Sequence, residues 1–187
     1  MATQPKTTGL TYEDLAGFPE DNLRRELMDG ELVVTPAPST RHQDVVLELG
    51  IRLGLYAKEH GGKVYVAPTD VFFSETSVVE PDVLFVRPEN ISRVEEPFVR
   101  GAPDVVVEVS SPSSRRLELV RKRELYERFG VPEYWYVDLD ADRVEVYRLE
   151  ARGYRTPMLL SRGDALESPQ APGLTIPVAE LLGSPVH

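Results

Sequence analysis

Residues 103–138, PDVVVEVSSPSSRRLELVRKRELYERFGVPEYWYVD, restrict the possible folds more than any other stretch. Val105, Val106 and Val107 give a strand core that is apolar on both faces, and such a strand needs a packed layer on each side. Glu108 follows at once, where one more apolar residue would suit burial. After the break at Ser110 to Ser114, the spacing predicts a helix over 114–129, ended by Gly130-Val131-Pro132, and then a strand over Glu133–Asp138. On that helix Leu119, Leu125, Tyr126 and Phe129 fall within about 120° of arc, with Lys122 in the middle. Arg121, Arg123, Glu124, Glu127 and Arg128 take the other side. Glu118 shares the inward arc one turn earlier and offers Lys122 an i,i+4 pair of roughly 0.3–0.5 kcal/mol if exposed. An inward carboxylate and an inward amine each cost about 3–5 kcal/mol to bury without a partner, so both need a reason.

The remaining chain reads as a mixed α/β order around one sheet, a single domain over 1–187 with loose ends at 1–10 and 183–187. Thr11 with Asp14 three residues on caps a short helix that Phe18-Pro19 stops. Asp29-Gly30 marks a hairpin turn into a returning strand, Glu31 to Thr35. Ser39 or Thr40 caps a helix to about His60, whose stripe is Val45, Val46, Leu49, Leu53, Tyr56 and Ala57. His42 lies at the centre of that stripe. Its ordinary role is a core-edge histidine bonded to a backbone carbonyl; its functional role is a polar group aimed into a site beneath the helix. Short strands at 63–67, 70–74 and 79–86 follow, then an irregular excursion over 87–102. Beyond Asp138 the pattern predicts a strand at 143–149 paired with 153–161, and Pro172-Gly173-Leu174 with a small helix over about 177–182 closes the chain.

Composition narrows the function. With 187 residues, 41% of them hydrophobic, one core is expected. The absence of cysteine excludes disulfides, thiolate zinc sites and a cysteine nucleophile. Residues 1–10 lack the pattern of a signal peptide, and no apolar run is long enough to span a bilayer, so a cytoplasmic protein is expected. The formal charge of −10 opposes phosphate binding unless a basic patch or a divalent metal compensates. The 115–128 segment is such a patch, with six basic residues against three acidic ones, and Arg115, Arg116 and Arg121 are its candidates for backbone contacts to DNA. A solvated helix face explains those arginines equally well. Against seventeen arginines there are only four lysines, which makes Lys122 an unusual choice.

Two Pro-Asp pairs precede Glu108. Asp104 lies four residues back on the same strand, about 13 Å away, too far to share one ion. Asp82 lies on another strand and comes alongside Glu108 if the two strands pair. Two carboxylates on adjacent strands suit Mg²⁺ or Mn²⁺, which takes few protein ligands. Singly, Asp82 is a strand start and Glu108 a solvated strand end. Together with Lys122 they favour a site.

This combination resembles the PD-(D/E)xK nuclease superfamily, whose restriction-endonuclease-like fold has a central mixed β-sheet flanked by helices. Pro81-Asp82 supplies the first element and Glu108 the second, while Ser110 stands where the lysine is expected. The run from Glu108 to Ser114, with Lys122, Tyr126, Gly130 to Trp135 and Val137-Asp138, is similar to the Uma-type endonucleases, in which the lysine stands on the following helix. The resemblance extends from about Leu10 to Leu182 and takes in Asp29-Gly30-Glu31, Pro38 with His42, and Leu174. Glu118 departs from it, since the family more often has Asp there. The resemblance implies metal-dependent hydrolysis of DNA, with Asp82 and Glu108 binding Mg²⁺ or Mn²⁺ and Lys122 positioning or activating the attacking water. Glu31 and His42 match family positions near that site and are secondary candidates. Related folds imply a homodimer or higher homo-oligomer. Two other readings stand beside this one: a catalytically silent binding or assembly module, which the acidic balance favours, and a hydrolase of RNA or nucleotides.

Overall fold

The structure, a computed structural model, describes residues 8–19, 23–110 and 117–183. Its first part comprises helix α1 (Tyr12–Ala16), strands β1 (Arg24–Met28) and β2 (Glu31–Thr35), and helix α2 (Thr40–His60). Strands β3 (Lys63–Val66), β4 (Val71–Ser74), β5 (Ser77–Val79) and β6 (Val83–Val86) follow, then a 3₁₀ turn (Pro88–Arg93), β7 (Val99–Arg100) and β8 (Val105–Val109). A π-helical stretch (Leu117–Lys122) runs into α3 (Arg123–Arg128). The chain continues through β9 (Glu133–Asp138), β10 (Arg143–Glu150), β11 (Gly153–Tyr154), β12 (Met158–Ser161), β13 (Ala165–Ser168), β14 (Ala171–Pro177) and α4 (Val178–Leu182).

A seven-stranded sheet, ordered β11-β10-β9-β8-β6-β3 with β12 also on β10, forms the centre of the molecule. It is mixed: β8 and β9 run parallel, joined through α3, whereas β6 and β8 are antiparallel. A second sheet has the order β2-β1-β5-β4-β7, and β13 and β14 form a separate hairpin. The three valines of β8 explain the layering. Val105 and Val107 pack with Val45, Leu49 and Leu53 of α2 and with α4. Val106 faces the other way, towards Met28 of β1, Val79 of β5, and Tyr126 and Leu125 of α3. Burying such a side chain contributes roughly 1.5–3 kcal/mol, which is why a triply apolar strand takes the centre.

Local chemistry sets the connections. Asp29 and Gly30 both have positive φ, 54° and 77°, as a two-residue hairpin turn requires, and Met28 pairs with Glu31 across it. Ser39 caps α2, its hydroxyl accepting from the His42 backbone N–H at 3.2 Å. The expected strand at 79–86 is in fact two. β5 belongs to one sheet and β6 to the other, and Glu80-Pro81-Asp82 makes the crossing, where proline has no N–H to continue a ladder. Of the expected helix over 114–129, residues 114–116 lie outside the described residues, Leu117–Lys122 are wound as a π-helix, a widened turn that often occurs at functional sites, and Arg123–Arg128 are α-helical. The segment 87–102, read as irregular, holds the 3₁₀ turn and β7, and Asp104 secures it by accepting from the Arg87 N–H and the Asn90 amide, each at 2.8 Å. Pro172 and Gly173 lie within β14, which the two-stranded β13-β14 hairpin leaves as an edge, where both residues are tolerated. Among the described residues no helix is long and apolar enough to cross a membrane.

Candidate active site

Three separate elements deliver the residues that the sequence singles out. Asp82 stands at the crossing between the sheets, and the register that sets Val83 opposite Val107 brings it beside Glu108. Glu108 projects from β8 on the face of Val106. Lys122 closes the π-helical stretch, and Lys122, Leu125 and Tyr126 are buried together, as the periodicity predicts. Asp82, Glu108 and Lys122 are each no more than 1% exposed.

Lys122 Nζ donates to Glu108 Oε1 at 2.8 Å and lies 2.8 Å from Glu26 Oε1 of β1. Tyr126, one helical turn on, donates its hydroxyl to the same Glu108 oxygen at 2.5 Å. Asp82 divides its oxygens: Oδ2 accepts from the Val109 backbone N–H at 2.7 Å, and Oδ1 accepts from Arg24 Nη1 at 2.8 Å. His42 Nε2 lies 3.4 Å from Asp82 Oδ1, so α2 does aim its histidine into this place. The Arg24 guanidinium also faces Glu26 at 3.7 Å and Glu80 and Glu108 at 3.8 Å each. Four carboxylates thus surround two side-chain cations, Arg24 and Lys122.

The electrostatics follow from burial in competition with these neighbours. Burial raises the Glu108 carboxyl, Lys122 pulls it down, Asp82 pushes it up again, and it settles at about 7. Glu80 is likewise lifted by burial to about 7, with Arg24 opposing and Glu26 adding. Asp82 is different. Burial works against its anion, but His42, Arg24 and Lys122 outweigh it and hold the carboxyl at about 2. For Lys122 burial disfavours the charge, yet Glu108 and Glu26 prevail and raise its pKa. Burial and Glu108 keep the Tyr126 hydroxyl well above its ordinary value, so it remains a donor.

A divalent cation can be tested against this donor set. Fully ionised, the nest holds two more carboxylates than side-chain cations, and Glu108 Oε2 and Glu26 Oε2 are buried with no hydrogen-bond partner. Hard oxygen donors with unspent lone pairs suit Mg²⁺ or Mn²⁺, which needs only one or two protein carboxylates. Among the described residues no three His, Asp or Glu side chains form a ready cage, and Arg24 stands among the carboxylates instead. The unspent oxygens belong to Glu108 and Glu26, whereas both Asp82 oxygens are engaged, so Asp82 could join Glu108 in holding an ion only in competition with the Arg24 guanidinium.

Among the described residues, two openings reach the nest. A groove of about 380 Å³ opens onto Asp82 and Arg24 between Leu23, Pro38, His42 and Pro68. The neighbouring cavity, about 580 Å³, is lined by Asp70, Glu80, Glu95 and Glu96 and is hostile to phosphate. Glu31 is not brought into the nest: it is exposed on β2 and pairs with Arg121 at 2.8 Å. That contact also engages Arg121, the described one of the three arginines proposed to contact DNA. Arg115, Arg116 and the Glu118 side chain lie outside the described residues. Sequence reasoning passed over Arg24, Glu26 and Glu80. A signal existed for two of them, since strand alternation puts Arg24 and Glu26 on the face of the buried Met28.

Residues 11–179 match the Uma2 family, described as "Putative restriction endonuclease". Among solved structures the chain is similar to "a putative nuclease belonging to DUF820 from Anabaena variabilis", with a TM-score of 0.78 and 19% identity over 92% of this chain and 97% of that one. At that identity the likeness establishes the fold. No curated protein matches the chain.

Proposed function

This chain belongs to the Uma2 family, and from that premise we propose that it is a metal-dependent endonuclease hydrolysing DNA phosphodiester bonds at the nest around Asp82, Glu108 and Lys122. The observation that supports this best is the convergence of those three side chains with unsatisfied carboxylate oxygens beside them. Asp82 and Glu108 would hold Mg²⁺ or Mn²⁺, which when bound polarises a phosphate oxygen and acidifies a water. Lys122, fixed between Glu26 and Glu108, supplies a positive charge that orients the attacking water or stabilises developing negative charge. Tyr126 holds Glu108 in place, and the Val109 N–H does the same for Asp82. The phosphate approaches through the groove beside His42 and Arg24, since the adjoining cavity is acidic. The protein is read as a cytoplasmic homodimer acting on DNA.

The test is cleavage of supercoiled plasmid with Mg²⁺ or Mn²⁺ by the wild type and by Asp82→Asn, Glu108→Gln and Lys122→Ala. Nicking that needs metal and falls by roughly 10²-fold or more in each variant is the expected result. Nicking that persists in the variants refutes the assignment. A second reading, a binding or assembly module without turnover, is favoured by the net charge of −10 and by Arg24 standing among the carboxylates. Absence of cleavage by a wild type that nevertheless binds DNA in a strongly salt-dependent way would select it.

A further inference from the structure

We infer that the outer face of α2 is a self-association surface, on which a second copy of the chain packs antiparallel about a two-fold axis through Ile51. This deepens the homodimer reading by naming its surface. Leu47, Ile51 and Leu55 are 63%, 48% and 60% exposed, a continuous apolar stripe on a helix whose other side buries Val45, Val46, Leu49 and Leu53. Asp44 and Lys58 extend the stripe at its two ends, both exposed and, among the described residues, neither in an ion pair. Arg52, by contrast, is already engaged by Glu48 and Glu180 to one side.

The spacing is a palindrome. From Asp44 to Leu47, Ile51, Leu55 and Lys58 the steps are three, four, four and three residues, all on one helical face. A two-fold axis through Ile51 sets Ile51 against its own copy, Leu47 against Leu55 of the other chain, and Asp44 against Lys58. Each unlike contact then occurs twice, as an isologous interface requires. A parallel pairing would instead oppose Asp44 to Asp44 and Lys58 to Lys58, so charge selects the antiparallel arrangement. Gly54 leaves open space beside the stripe, and Val66 of the edge strand β3, 43% exposed, lies against Gly50 and widens the patch. A single helical stripe with three apolar side chains suits a weak, concentration-dependent dimer.

His42 is nine residues from Ile51, half a revolution round the helix at about 100° per residue. Pairing through the Ile51 face therefore leaves both nests uncovered and turned away from each other. The surface can be tested without reference to catalysis.

Sedimentation velocity from about 1 to about 200 μM should show the wild type shifting from monomer to dimer. Ile51→Glu should remain monomeric with an unchanged far-ultraviolet circular dichroism spectrum. Asp44→Lys and Lys58→Asp should each weaken association about tenfold, and the double exchange should restore it. Three results overturn the proposal: a wild type monomeric throughout, a dimer that survives Ile51→Glu, or a double exchange no better than the single ones. The second would leave the homodimer reading standing on another surface.

Discussion

Replacing Lys122 by Met keeps the side-chain length and the helix propensity but takes one charge from between two carboxylates. Lys122 Nζ is 2.8 Å from both Glu26 Oε1 and Glu108 Oε1, and none of the three side chains is more than 2% exposed. Removing one partner of a buried pair costs about 3–5 kcal/mol, because the charge left behind has no water. The orphaned carboxylates can escape by taking up a proton. Burial already holds Glu108 at about 7, with Lys122 its strongest counterweight, so without Lys122 its pKa rises further. A carboxyl whose folded pKa exceeds its unfolded value binds protons more tightly in the native state, so stability falls as pH climbs through the folded value. The variant should therefore lose little near pH 5.5 and about 3–5 kcal/mol near pH 8.5, with a limiting slope of ~1.4 kcal/mol per pH unit for each proton involved. Trp135, the sole tryptophan and buried on β9, reports unfolding in urea with chelator present. At the higher pH the midpoint should drop by roughly 1–3 M. Adding Glu108→Gln should recover much of the loss at about pH 8.5 and little at about pH 5.5. A loss that is equal at both pH values, or larger at the lower one, would refute the argument.

Two further perturbations follow from the geometry. Arg24→Met removes the guanidinium that faces Asp82, Glu26, Glu80 and Glu108; the variant should melt lower than the wild type in chelator and gain more in melting temperature from Mn²⁺. Equal Mn²⁺ shifts in the two proteins would show that Arg24 and the ion do not compete. Gly62→Ala should destabilise the fold by more than about 2 kcal/mol in urea, with φ at +93° and a Cβ only 2.5 Å from the Val86 carbonyl oxygen; a loss near zero would mean that the β3–β6 edge shifts freely.

The legible part of the site was the part fixed by short-range periodicity. Lys122 faces inward because it shares helical spacing with Leu125 and Tyr126, and Glu108 is buried because Val105 to Val107 already commit β8 to the centre. Asp82 needed one tertiary assumption, the pairing of β6 with β8, which the register supplies. Arg24 and Glu26 were hidden for a different reason. Alternation groups them with Met28, but which face of β1 is inward depends on the second sheet packing over the first, a relation between residues far apart in sequence. The split of 79–86 between two sheets has the same origin: an unbroken apolar run looks alike whether or not it changes partners at a proline. The π-helical turn was out of reach, because six residues cannot distinguish its pitch from that of an α-helix.

That wide turn bears on how such sites are found and how they change. A π-helical turn is an α-helix carrying an additional residue, so the stretch Leu117–Lys122 behaves like a spacer whose length sets the bearing of the last side chain. Changing its length would alter the turn that presents Lys122, although every residue type in the site would still be present. Substitutions across the stretch should be tolerated far better than changes in its length. What the fold supplies here is a position in space for an ammonium group, 2.8 Å from each of two carboxylates. Such a site is defined by inter-atomic distance more than by residue spacing.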